Sequence, residues 1–186
     1  GLVGSAIEAD LKPTRNTLDL MDLDATVAYI QANNVTEIIH CAAKVGGIKA
    51  NMEQLGEFFY ANMILNTNVL EAARKCGVTK MVSFMSTCVF PDDATYPLSA
   101  DQIHNGEPHP SNYAYAYAKR MLDVQSRAYR DQYGCNFVTV IPCNIYGQHD
   151  NFDLENSHVI PALIRKCETA MEQDTDFVIW GSGKPW

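Results

Sequence analysis

The sequence predicts an α/β fold, a parallel sheet whose strands are joined by helical crossovers. Short apolar runs alternate with long stretches in which apolar residues recur at helical spacing, the pattern of a parallel sheet with right-handed connections. Two of the runs end in Ser86-Thr87-Cys88 and Pro142-Cys143-Asn144, on the side of such a sheet where ligands bind. The composition is that of one globular unit. Its 186 residues are 47% hydrophobic and 19% charged, enough chain to bury roughly 70% of its unfolded surface without disulfides.

The elements follow in order. Gly1-Leu2-Val3-Gly4-Ser5-Ala6-Ile7 resembles the last part of a glycine-rich dinucleotide loop, where backbone N–H groups approach a pyrophosphate at a helix N-terminus. Paired glycines at a chain start are also common without any ligand. Val35 to Ala43 reads as a buried strand. From Met52 to Lys75, Leu55, Phe58, Phe59, Met63, Val69, Leu70 and Ala73 mark a helix that closes at Cys76-Gly77. Lys80 to Met85 is a second strand, followed by a polar loop rich in proline. Asn112 to Tyr133 reads as a helix closed by Gly134, and Phe137 to Pro142 as a third strand. His158 to Glu172 is the last long helix, and Phe177 to Trp180 a fourth strand before the turn Gly181-Ser182-Gly183.

Charge and cysteine usage narrow the function classes. Lys plus Arg total 14 against 22 Asp plus Glu, a formal charge of -8. That balance speaks against nonspecific binding to nucleic acid or to an anionic membrane. No apolar run is long enough to span a bilayer, and no basic-then-apolar leader is present. The six cysteines form no C-x-x-C pair and no zinc-spaced cluster with histidine, so no metal site is expected. Free thiols in a reducing cytoplasm are the expectation.

Tyr115 and Lys119 stand at i and i+4 and share a helix face. A nearby ammonium favours phenolate, which predicts a Tyr115 pKa below the usual ~10 and closer to the range useful for acid–base work. An amphipathic helix with a surface lysine shows the same spacing. Tyr117 lies about 200° round the helix from Tyr115 and is expected to pack. Ser86, at a strand end, is placed to hydrogen-bond a substrate carbonyl together with Tyr115.

Strand-end Ser, helical Tyr and Lys and a Gly-rich start resemble the short-chain dehydrogenase/reductase superfamily in its extended, nucleotide-sugar branch. Further blocks resemble the GDP-L-fucose synthase family: Ala42 to Ile48, Ser86 to Pro91, Asn144 to Phe152, Ser157 to Leu163 and Trp180 to Pro185. They run in the family's order along essentially the whole chain. The resemblance implies a Rossmann-like parallel sheet with flanking helices. It implies NADPH-dependent conversion of GDP-4-keto-6-deoxy-D-mannose to GDP-L-fucose, by C3/C5 epimerisation and C4 reduction.

Carried over residue by residue, Tyr115 protonates the forming C4 alkoxide, Lys119 holds the nicotinamide ribose and tunes Tyr115, and Ser86 orients the ketone. Cys88 and His158 match the epimerisation base and acid. Gly1, Gly4, Asp19, Leu20, Ala42, Ala43, Pro142, Cys143, Asn144 and Ile145 match cofactor contacts, shared with Lys119 and His158. Lys166 and Trp180 match substrate contacts. The family also implies a GDP-sugar as substrate and a homodimer formed through helices including the one bearing Tyr115, where Met121, Leu122 and Val124 are the apolar positions. No role is assigned to Lys44. A thiol works as a base only where its surroundings are electropositive.

Against the family's pattern the chain reads as an internal segment, residues 1–186 of a truncated NADP-binding domain with the start of the substrate-binding region from about residue 150. It lacks the first strand, the segment that selects the cofactor's 2'-phosphate and most of the C-terminal substrate domain, so the segment alone is expected to show little or no reductase activity. Two rivals remain on sequence grounds. One is another extended nucleotide-sugar epimerase or dehydratase, which would not need Cys88 and His158. The other is a catalytically inactive nucleotide-binding or interaction module.

Overall fold

The computed structural model describes residues 1–46, 48–154 and 157–179. Its centre is a parallel sheet of three strands in sequential order, β1 (Glu37–His40), β2 (Lys80–Phe84) and β3 (Phe137–Val140). The register pairs Ile38 with Met81 and Met81 with Phe137, and His40 with Ser83 and Ser83 with Thr139. Side chains alternate along a strand, so these six residues share one face. Met81 and Phe137 on that face are fully buried.

The helices are α1 (Leu2–Ala6), α2 (Leu23–Ala32), α3 (Ile48–Glu53), α4 (Leu55–Lys75), α5 (Tyr113–Tyr133) and α6 (Val159–Gln173). α4 connects β1 to β2 and α5 connects β2 to β3. Two right-handed crossovers running in one direction place both helices on the same face, and α4 and α5 pack side by side with α2 against α4. The core between this layer and the sheet holds Val69, Leu70, Ala73, Met81, Val89, Leu122 and Phe137. The opposite face leaves Ile39, Val138 and Val140 exposed.

Several helix ends follow from local chemistry. Asp22 caps α2 by accepting a bond from the Ala25 N–H at 2.9 Å, which satisfies one of the unpaired donors at a helix start. The sequence reading missed this helix, although Asp22 before an apolar stretch is its start signal. Gly134 ends α5 in the left-handed conformation, φ 69, where a side chain would be strained.

The structure corrects four expectations. The helix expected to begin at Met52 is two helices, broken at Gln54 (φ -124, ψ 37). The strands are shorter than expected, because pairing stops where the chain turns out to form loops. Residues 177–179 join no strand, and their side chains are exposed. A run of four apolar residues needs a neighbouring strand to pair with, and none reaches it among the described residues. Leu122 is fully buried in the core, so it offers nothing to a dimer surface, whereas Val124 is exposed. Trp180 and the whole block to Pro185 lie outside the described residues, as does Gly47 in the block Ala42–Ile48.

Candidate active site

The carboxyl ends of β1 and β2 meet α5 at a buried patch. Lys119 reaches back from α5 and donates from Nζ to the Phe84 carbonyl, the last of β2, at 2.8 Å. Two residues further, Ser86 precedes a 3-10 turn, Thr87–Val89, that carries Cys88. The Ser86 hydroxyl lies near the Cys88 thiol and favours its ionised form. The Tyr115 ring stands edge-on to Phe58, with centroids 6.5 Å apart, and 6.0 Å from the Lys119 Nζ. Ser86, Cys88, Tyr115 and Lys119 are therefore gathered from one strand end and one helix face.

Electrostatics here run against the simplest expectation. Burial pushes the Tyr115 phenol up, and the Cys88 sulfur acts in the same direction. The predicted lowering by Lys119 does not occur: the ammonium is committed to the Phe84 carbonyl, and desolvation of a phenolate outweighs a cation placed this way. Burial also lowers Lys119 to about 8. The Cys88 thiol is pushed up by burial and pulled back by the Ser86 hydroxyl, Lys119 and Arg120.

Behind the patch sits a polar layer that the sequence reading did not single out. His40 Nε2 and Asn66 Oδ1 lie 2.8 Å apart, and the Asn66 amide donates to the Ala118 carbonyl at 3.4 Å. Burial drives His40 down to about 4, opposed by Asn66 and reinforced by the charge of Lys119. One turn earlier on α4, Asn62 clasps the backbone of Lys44, accepting from its N–H and donating to its carbonyl, each at 3.0 Å. Lys44 itself pairs with Glu57 and lies 5.3 Å from the Phe58 ring centroid. Asn62 and Asn66, four residues apart within the apolar stripe Phe58, Leu65 and Val69, were the available signal. Two amides on a buried helix face must have partners.

The other expected site residues divide by location. Ala42 and Ala43 follow β1, and Pro142, Cys143, Asn144 and Ile145 follow β3, so both groups lie beyond the carboxyl ends of their strands. α1, with Gly1 as its cap, also lies here: a Cβ on Gly4 would stand 3.9 Å from the Cys41 Cβ, and one on Gly1 would meet nothing within 4 Å. Asp19 is exposed and turns back onto the Met21 N–H at 3.0 Å, while Leu20 packs against the core. His158 caps α6 with its side chain exposed and bonded to no backbone donor of that helix. Lys166 lines a shallow cavity of about 180 Å³ with Leu154, Thr169, Asp176 and Val178, on the far part of α6. That cavity shares no residue with the Ser86–Lys119 patch. All six cysteines are free thiols. Among the described residues no helix is long and apolar enough to cross a membrane.

The fold is a Rossmann-like α/β sheet with Ser86, Cys88, Tyr115 and Lys119 gathered where its middle strand meets α5. The chain belongs to the NAD dependent epimerase/dehydratase family, which matches residues 3–186. It is 48% identical over its whole length to the GDP-L-fucose synthase of Dictyostelium discoideum and 38% identical to that of Escherichia coli K12, covering 61% of each. A GDP-L-fucose synthetase from Naegleria fowleri, crystallised with NADP, superposes with a TM-score of 0.86 at 44% identity, over 94% of this chain and 57% of that one. The chain thus spans about three fifths of the length of these relatives.

Proposed function

We propose that this chain is the cofactor-binding and catalytic core of a GDP-L-fucose synthase. The observation that carries the reading is the convergence of Ser86, Cys88, Tyr115 and Lys119 at one strand end. The likeness to relatives named for this activity supports it. A reductase that did not epimerise would have no use for Cys88 beside the Ser–Tyr–Lys set.

The residues fit an NADP(H) cofactor. The loops after β1 and β3 present Ala42, Ala43, Asn144 and Ile145 beyond the sheet, and Gly1 and Gly4 keep the approach to α1 open. Pro142 and Cys143 begin the third-strand loop, and Asp19 and Leu20 border the adenine side. When bound, the cofactor supplies the hydride. The protein's own groups do the rest. Cys88 removes a proton from a carbon next to the C4 ketone, a position made acidic by that ketone, and His158 returns one on the opposite face. Ser86 and Tyr115 hold the ketone oxygen. Tyr115 gives its proton to the C4 alkoxide, and its burial suits it to that task, because the phenol stays protonated until a strong base forms beside it. Lys119 holds the ribose. Lys166 and Trp180 meet the GDP-sugar, in a substrate region beginning near residue 150.

The reading includes a homodimer through α5, whose exposed Val124 supports it, and a cytoplasmic location, supported by six unpaired cysteines. Light scattering of the purified whole protein tests the dimer. The activity test incubates the whole protein with GDP-4-keto-6-deoxy-D-mannose and NADPH in deuterated water. GDP-L-fucose carrying deuterium at C3 and C5 is expected; reduction without deuterium at those carbons would sink the epimerase half of the proposal.

A further inference from the structure

Arg120 is a buried cation without a carboxylate. It is 3% exposed, and among the described residues no Asp or Glu pairs with it. Its Nε donates to the Val89 carbonyl at 2.6 Å and its Nη1 to the Gly106 carbonyl at 2.7 Å. The guanidinium carbon lies 5.1 Å from the Tyr117 ring centroid, and Nη2 is buried with no partner. Burying a guanidinium without a counter-ion is costly, so an anion formed beside it would be strongly favoured.

We infer that Arg120 is a positioning residue for Cys88: it pins the turn carrying Cys88 to the helix carrying Tyr115 and Lys119, and it supplies the buried positive charge that a Cys88 thiolate needs. The inference rests on the proposed function, which makes Cys88 the base. Val89 is the residue after Cys88 in the 3-10 turn, so the 2.6 Å bond fixes the backbone one residue from the sulfur. Among the described residues, the groups that favour a Cys88 thiolate are the Ser86 hydroxyl, Lys119, its own backbone N–H and Arg120, while the sulfur in turn acts on Tyr115. Lys119 cannot serve alone. Burial disfavours its ammonium as it disfavours the thiolate, and its Nζ is already committed to the Phe84 carbonyl at 2.8 Å. A guanidinium keeps its charge throughout.

The test follows Cys88 alkylation by iodoacetamide against pH in the NADPH-bound whole protein, with the Cys88 peptide quantified by mass spectrometry. Arg120→Met is expected to raise the midpoint by about one pH unit, a roughly tenfold slower alkylation below it, and Arg120→Lys, whose buried ammonium holds its charge less firmly than a guanidinium, to raise it in the same direction by less. The pH profile of C3/C5 deuterium exchange is expected to move with it. A uniformly slower reaction with an unmoved midpoint in Arg120→Met overturns the inference. If Arg120→Met is insoluble, Arg120→Gln is read in its place. Failure of both to fold while Arg120→Lys folds also overturns it, since the side chain would then be a folding element alone. Absence of C3/C5 exchange in the unsubstituted protein would instead sink the proposed function, leaving the alkylation midpoint to report on Arg120 by itself.

Discussion

Cys88 and Tyr115 share one buried patch, and burial pushes both of their pKa values up. The effect helps an acid and hinders a base, so the two residues fail differently when replaced. Cys88→Ser is expected to abolish C3/C5 deuterium exchange in the whole protein while some C4 ketone reduction persists. Tyr115→Phe is expected to lower reduction by about 10²–10⁴-fold, the usual loss of one positioned proton donor, with exchange retained. Parallel measurement of exchange and NADPH oxidation checks both, and a Cys88→Ser protein with full exchange would contradict the assignment. Residue types and spacing at this patch were legible in the sequence, because i, i+4 periodicity survives folding unchanged. The direction of the Tyr115 shift was not, because it depends on how much water the packing of Phe58 and β2 removes. Arg120 was equally hidden, since nothing next to Lys119 in the sequence marks a cation as buried.

Among the elements, the long helices and the three strands were legible from periodicity and from closing glycines. The boundaries that went astray were those decided by partners distant in sequence. Phe177, Val178 and Ile179 have strand composition but no strand beside them, and α4 was drawn too long because the irregular backbone at Gln54 has no breaker residue. The caps lend themselves to measurement. A Cβ added at Gly134 meets nothing within 4 Å, yet φ is +69, so Gly134→Ala costs backbone strain alone, about 1–2 kcal/mol. Asp22→Ala should cost about 1 kcal/mol through loss of the bond to the Ala25 N–H. Urea unfolding of both variants checks the two figures, and an unchanged midpoint for Gly134→Ala would mean that the helix end rearranges.

Across the whole molecule, one buried histidine ties stability to pH. His40 is held at about 4 in the folded protein against 6.5 for an unperturbed imidazole. A depressed folded pKa means that the unfolded chain binds the extra proton first. Stability is then fully present above about 6.5 and falls as pH drops towards 4, by about 3 kcal/mol at 1.36 kcal/mol per unit. Unfolding measured between pH 7 and pH 4.5 should show this slope, and His40→Leu should flatten it while lowering stability throughout by stranding Asn66. A slope unchanged by His40→Leu would assign the acid sensitivity elsewhere.

The adjacent Lys119 and Arg120 grip two different carbonyls, Phe84 and Val89, and so read the rotational phase of α5. An α-helix turns about 100° per residue. A single insertion or deletion between Asn112 and Tyr115 would leave the helix intact, but one between Tyr115 and Lys119 would swing the tyrosine away from both grips at once. The loop from Pro91 to Pro110 is fastened too: the Gly106 carbonyl accepts from Arg120, the Glu107 carbonyl from the Asp92 N–H at 2.9 Å, His104 meets Asp123 at 2.9 Å, and Ile103 is buried in the core. The count of residues between Tyr115 and Lys119 is therefore fixed by geometry rather than by helix stability, since a helix tolerates the change and the two grips do not.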